Sequence, residues 1–389
     1  MARSAPALAN PVILRWAREE RGFEVELAAS RIGVKVEKLK DCENGKDRLS
    51  FAQLRQAASI YKRPTATFYL KEPPSGLKIP TFRRSPANSE NPLSPELRLE
   101  IRKFHQKRKA AIELIDYGPS VDWSHVGTIS LTDNPEVLGE DIRSLLGISD
   151  EFPKGYNMRQ AFNHWRFAIE KTGTLVFQAS RVDTDEMRGL SITERPFPFI
   201  AVNRKDDPRP RSFSLLHEFA HVLLGNSSMC DLHQELDVKL NQAMSHEVFC
   251  NHVAGAALVP ANLLLQTSIV KNHGKAPEWS ASELRLLSER FRVSREVILR
   301  RLLLLKRTTD GFYGAMRGRF AYSPTKKRGK GGGEYAHQRV LHTDGLTFTS
   351  MVIDALDNRS LSYSDVTDLL GIKLKALEPL RELLAEKRS

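Results

Sequence analysis

Two histidines four residues apart in an otherwise apolar stretch, SLLHEFAHVLLG (Ser214 to Gly225), constrain this chain more than any other feature. On a helix, residues four apart share a face, so His217 and His221 can both reach one zinc ion. Glu218 is turned by about 100° from His217. That places it beside the metal, able to hold a water and accept its proton during attack on a carbonyl. Leu215, Leu216, Phe219, Ala220, Val222, Leu223 and Leu224 make the rest of the helix apolar all round, which predicts burial. Ionisable groups in such a helix are costly unless paired or coordinated. The plain alternative is a hydrogen-bonded pair of core histidines next to a chance glutamate.

A catalytic zinc of this kind needs a third protein ligand. The next polar cluster in an apolar helix is SHEVFCNHVAGAALVP. There Glu247, Cys250, Asn251, Ala254 and Leu258 share one face, small enough to pack closely on the histidine helix with Glu247 at its open end. Glu247 is therefore the expected third ligand and Asn251 a group supporting the ligands. His246 and His252 are rotated away from Glu247 by about 100° and 140°. Cys250 is a rival ligand, although a lone cysteine among apolar residues is more often a small core residue. Cys230 and His233 are weaker rivals in an expected loop.

The chain that surrounds this pair of helices is 389 residues long, enough for two or three domains. It reads as α+β and mainly helical. Residues 1–75 predict a bundle of four short helices, and 76–125 a Pro-rich strap with a basic amphipathic helix. Residues 126–310 mix strands with helices; TLVFQAS, RGLSI and PFPFIAVN have the β-branched and aromatic content of strands. Residues 311–389 predict a basic linker, KKRGKGGG, and a small helical C-terminal module. RGLSI or FPFIAVN is a candidate edge strand to which a substrate backbone could add, the other reading of each being ordinary internal sheet. No run of about 18 apolar residues is present. Three scattered cysteines suit a reducing compartment, so a cytoplasmic protein without membrane association is expected.

The segments NRKDDPRPRSFSLLHEFAHVLLG and EVFCNHVAGAALVP resemble the ImmA/IrrE family of zinc metallopeptidases. In that family the H-E-x-x-H motif is completed by a glutamate on the next helix, in an E-x-x-[AC]-N context that ends in a proline. The matching positions here are Glu247, Cys250, Asn251 and Pro260. RFRVSREVILRRL (Arg290 to Leu302) also resembles the family's terminal helices. The resemblance, over roughly residues 140–305, implies a zincin-like domain with a small sheet, a Zn2+ cofactor, and a protein substrate such as a repressor.

Further upstream, LRWAREERGFEVELAASRIGVKVEKLKDCENGK is similar to an Xre/Cro-type helix-turn-helix, a familiar fusion partner of such peptidases. The similarity implies DNA as a partner, a recognition helix near Val36 to Cys42, and a pairing of Arg18 with Glu43. Two positions depart from that pattern: Val25 replaces a usual glutamine, and Glu24 stands where Ser or Thr is common. Lys35, Lys38 and Lys40 are the expected phosphate contacts, opposed by Glu37 and Asp41. The other use of such a module is dimerisation or partner docking, so a homodimer is one expected assembly.

Charge follows the same division. The whole chain carries +12. Residues 1–80 hold 15 Lys and Arg against 9 Asp and Glu, while 126–310 hold 23 of each. Two functions from different classes remain. One is a zinc endopeptidase with a DNA-binding module that cleaves a regulatory protein. The other is a DNA-binding transcriptional regulator or antitoxin-like protein whose zinc site is structural or sensory. A peptidase needs an open coordination position that a structural site lacks.

Overall fold

The structure, a computed structural model, describes residues 5–74, 93–118, 121–225, 228–230, 242–321 and 334–388. The expected strap and basic linker fall mostly on 75–92 and 322–333, outside the described residues, as does His233. Two compact units are present, one drawn from residues 1–80 and 89–105, the other from residue 106 onward.

The first unit starts with four helices: α1 (Pro11–Glu20), α2 (Val25–Ile32), α3 (Val36–Glu43) and α4 (Phe51–Tyr61). Local chemistry sets their ends. Asn10 caps α1 by accepting from the Val12 N–H, Pro11 opens it, and Ser50 with Gln53 forms a reciprocal capping box on α4. Gly33 stops α2 with φ of 80°, a conformation glycine takes without a Cβ penalty. Ile13, Leu14, Ala17, Phe23, Leu39 and Phe68 fill the core. Arg18 and Glu43 make the expected pair, with Nε–Oε1 at 2.7 Å and Nη2–Oε2 at 2.9 Å.

A long helix, α5 (Pro95–Glu113), follows. Several of its cations bind groups of the protein itself. In the first unit Arg102 donates to Glu20 and to the Lys62 carbonyl. In the second, Arg108 donates to the carbonyls of Glu194, Pro196 and Phe197, and Lys107 pairs with buried Asp344.

The second unit is built on a four-stranded sheet of β1 (Leu175–Ala179), β2 (Gly189–Ile192), β3 (Phe199–Asn203) and β4 (Ser228–Cys230). The order is β1-β3-β2-β4, with β1 parallel to β3 and the other pairs antiparallel. The strand TLVFQAS, RGLSI and FPFIAVN readings match β1, β2 and β3. Of the two readings of these strands, ordinary internal sheet is the one found. β3 lies between β1 and β2, and β2 is paired on its outer side with β4. Strand β4 is three residues long and carries no alternating pattern, so periodicity could not reveal it.

Around the sheet pack α6 (Pro135–Leu145), α7 (Met158–Lys171), α8 (Pro208–Leu224) and α9 (Gln242–Leu258). α8 lies against β2, β3, α7 and α9, and α6 covers α9. Gly139 lets α6 come close, since a Cβ there would meet Ala256 Cβ at 2.6 Å. Short helices α10 (Ala261–Leu265) and α11 (Ser268–His273) lead to α12 (Ala281–Phe291), α13 (Arg295–Leu304) and α14 (Asp310–Ala321). From α13, buried Arg301 donates to the Val259 carbonyl and bidentately to Glu136 on α6, which also accepts from His252 at 2.6 Å.

That network sets an acid limit. Burial alone would raise the Glu136 carboxyl, but Arg301 and His252 outweigh it and bring the group down to about 2. Its contribution is complete above the ordinary value of 4.5 and is lost as pH falls towards 2. Parent protein should therefore lose about 1.4 kcal/mol per pH unit below pH 4.5 through this group. Glu136→Gln should lack that slope, as read from urea midpoints between pH 5 and 3.

The last helices, α15 (Ala336–Asp344), α16 (Leu346–Asp357), α17 (Tyr363–Leu370) and α18 (Leu377–Arg388), belong to the same unit. α15 lies along β1. A buried ion pair on α7 holds the junction: Arg166 Nε meets Glu170 Oε1 at 2.9 Å, and each side chain is about 1–2% exposed. Arg166 also donates to the Leu341 and His342 carbonyls near the end of α15. Glu170 accepts from the Leu346 N–H at the start of α16. Each charge thus faces the helix end of opposite sign.

Candidate metal centre

The histidine helix α8 is held at both ends. Asp207 caps it by accepting from the Arg209 N–H, and Pro208 occupies its first position. Gly225 closes it with φ of 68°, and the Val222 and Leu223 carbonyls accept from Gly127 and Ile129. Every residue from Arg211 to Leu223 is buried, as the apolar pattern predicts. The helix begins six residues earlier than its apolar stretch, because a capping aspartate and a proline start it.

His217, His221 and Glu247 come together. The two Nε2 atoms are 3.2 Å apart, and the Glu247 carboxylate oxygens lie 3.1 Å from His217 and 3.4 Å from His221. Zinc bonds of about 2.0–2.1 Å in a tetrahedron require donor atoms about 3.3–3.4 Å apart. The three separations match that edge, so two imidazoles and a carboxylate fit the ion's usual donor set. Both histidine side chains are 1% exposed and Glu247 is 35% exposed, so the cluster is closed on the α8 side and open at the carboxylate.

The electrostatics express the same convergence. Burial would raise the Glu247 carboxyl, but hydrogen bonds from His217 and His221 hold it well below the usual carboxylate range. Burial lowers His217, and the bond to Glu247 more than reverses it, giving a net rise.

Glu218 is fully buried and rotated off the ligand face, as helix geometry requires. It packs on β2: a Cβ on Gly189 would meet Glu218 Oε1 at 2.6 Å and Cγ at 2.8 Å. Asn251 is buried one turn beyond Glu247 and lies beside His217. Cys250 is buried, and burial followed by the charges of Glu247 and Glu218 pushes its thiol well up, so it stays protonated outside the donor cluster. His252 turns away to Glu136, and Cys230 lies on β4. Gly189 was not singled out in the sequence. Its only signal is a glycine inside a strand pattern, which often marks close approach of another group.

On the first unit, Lys35 and Lys40 are exposed and Lys38 is half-buried around α3. Lys40 lies 4.0 Å from Glu26 of α2. Glu24 stands at the start of α2 without a side-chain capping bond, a consequence of its departure from Ser or Thr.

The fold and the cluster together define a helix-turn-helix protein with a metallopeptidase-like second unit. Residues 170–303 match the family model described as an IrrE N-terminal-like domain, of the peptidase M78 type, and residues 12–68 match a helix-turn-helix domain. The chain thus carries a region similar to the IrrE-like peptidase M78 domain behind an N-terminal helix-turn-helix domain. No curated protein matches it in sequence. No helix among the described residues is long and apolar enough to cross a membrane.

Proposed function

We propose that the chain is a zinc-dependent endopeptidase that cuts a regulatory protein, a repressor or another neighbour-encoded factor, in the cytoplasm. The observation that carries this reading is the tetrahedral spacing of His217, His221 and Glu247 with one side open. The peptidase work falls to the region 126–310 and DNA attachment to residues 1–75. His217, His221 and Glu247 hold the ion, and Asn251 supports His217. Zinc bound there supplies Lewis-acid activation of a peptide carbonyl and of water. Glu218 then accepts the proton of the attacking water and delivers it to the departing amine. The buried wall around Glu218 keeps competing water from that carboxylate.

The test is to incubate zinc-loaded protein with the products of adjacent genes. Cleavage that stops on chelation and returns with zinc supports the reading. Stoichiometric zinc with no cleavage of any of them, alongside binding to the chain's own promoter, would favour the regulator instead. Gly189→Ala gives a sharper local check. The added methyl must push Glu218 or β2 aside, and displacements near 1 Å cost about 10²-fold in rate. Peptidase activity should drop by that order while zinc content stays at the parent value.

DNA attachment rests on Lys35, Lys38 and Lys40. Replacing Lys35 or Lys38 by Ala should lower the slope of log affinity against log salt by about 1 each. A slope unchanged in both variants would remove these lysines from the interface.

A further inference from the structure

Strand β2 is the part of the sheet that lies against the proposed proton acceptor, since Gly189 abuts Glu218. Its inner edge is joined to β3, and its outer edge across Gly189, Leu190 and Ser191 is the edge a peptide would use beside the site. That outer edge is taken by β4, paired antiparallel as Gly189 with Cys230, Leu190 with Met229 and Ser191 with Ser228. β4 starts three residues after Gly225, which ends the histidine helix, so the covering strand is tethered directly to the site. Among the described residues it is the outermost strand, and it is three residues long.

Building on the peptidase reading, we infer that β4 is a built-in blocking strand that occupies the place of the substrate backbone. A protein substrate gains the β2 edge only in molecules whose β4 has left. Backbone pairing is sequence-tolerant, so the same edge accepts β4 or an extended substrate segment. The displaced state is the competent one, and the apparent affinity for substrate is reduced by its population.

The test uses the full chain and fluorescein-labelled unfolded casein as probe. Ser228→Pro and Met229→Pro each remove one N–H, and consecutive N–H groups point to opposite sides of a strand, so one of the two breaks the pairing. Replacing Ser228–Cys230 by three glycines is a gentler second route if proline prevents folding. Faster amide exchange at residues 189–191 identifies the variants in which β4 has left. With β4 displaced in a tenth or less of the parent molecules, these variants should bind casein at least about tenfold more tightly in the Glu218→Gln background. Zinc-loaded variants that retain Glu218 should cleave it faster by a similar factor. Unchanged or weaker binding once residues 189–191 exchange faster overturns the blocking strand. Tighter binding without cleavage in any zinc-loaded form keeps the blocking strand and overturns the peptidase reading.

Discussion

Replacing Glu218 by glutamine should leave zinc content at the parent value and lower kcat/KM by about 10²–10⁴-fold, the usual range for a lost general acid-base group. Glutamine has nearly the same shape, so it can occupy the space beneath Gly189. It cannot accept and return a proton. A fall in kcat with little change in KM is expected, because the loss is confined to the reacting step. Metal content measured on the same sample separates this from damage to the cluster. His217→Ala, by contrast, should lose zinc and activity together. Full proteolysis by Glu218→Gln would assign the proton transfer elsewhere.

The second large effect is expected far from that cluster. Glu170→Ala strands the Arg166 guanidinium in a site where it is about 1% exposed. Removing one partner of a buried pair costs about 3–5 kcal/mol. The amides opening α16 also lose their acceptor. Burial already pushes the Glu170 carboxyl up despite Arg166, so the ionised pair is held at a cost that packing offsets. Denaturant midpoints should report the loss, and limited proteolysis should cut first within residues 334–388. A double change of Arg166 and Glu170 to Met should be milder than Glu170→Ala, because no charge is then left buried alone. A single-variant loss below about 1 kcal/mol would mean that apolar packing alone holds these helices.

These two sites differ in how far they could be read from the residues. His217, Glu218 and His221 lie within one helical turn, and helix geometry places them relative to each other before any tertiary contact forms. Glu247 needed the further argument that two apolar helices pack through small residues, and Cys250, Asn251 and Ala254 are buried on that face. Arg166 and Glu170 stand four residues apart, a spacing shared with ordinary exposed helix pairs. Nothing local says that α15 ends and α16 begins against them, about 175 residues later.

Periodicity, caps and spacing were thus sufficient for the helices of the first unit, the three longer strands and the shared face of the two histidines. Those features depend on residues close in the chain, where backbone geometry leaves few alternatives. Tertiary structure alone decided that Glu247 reaches both imidazoles, that Gly189 presses on Glu218, that β4 takes the β2 edge, and that the basic residues of α5 grip carbonyls. Each of these depends on which distant surfaces meet, and that is set by packing and burial over the whole unit rather than by the local pattern.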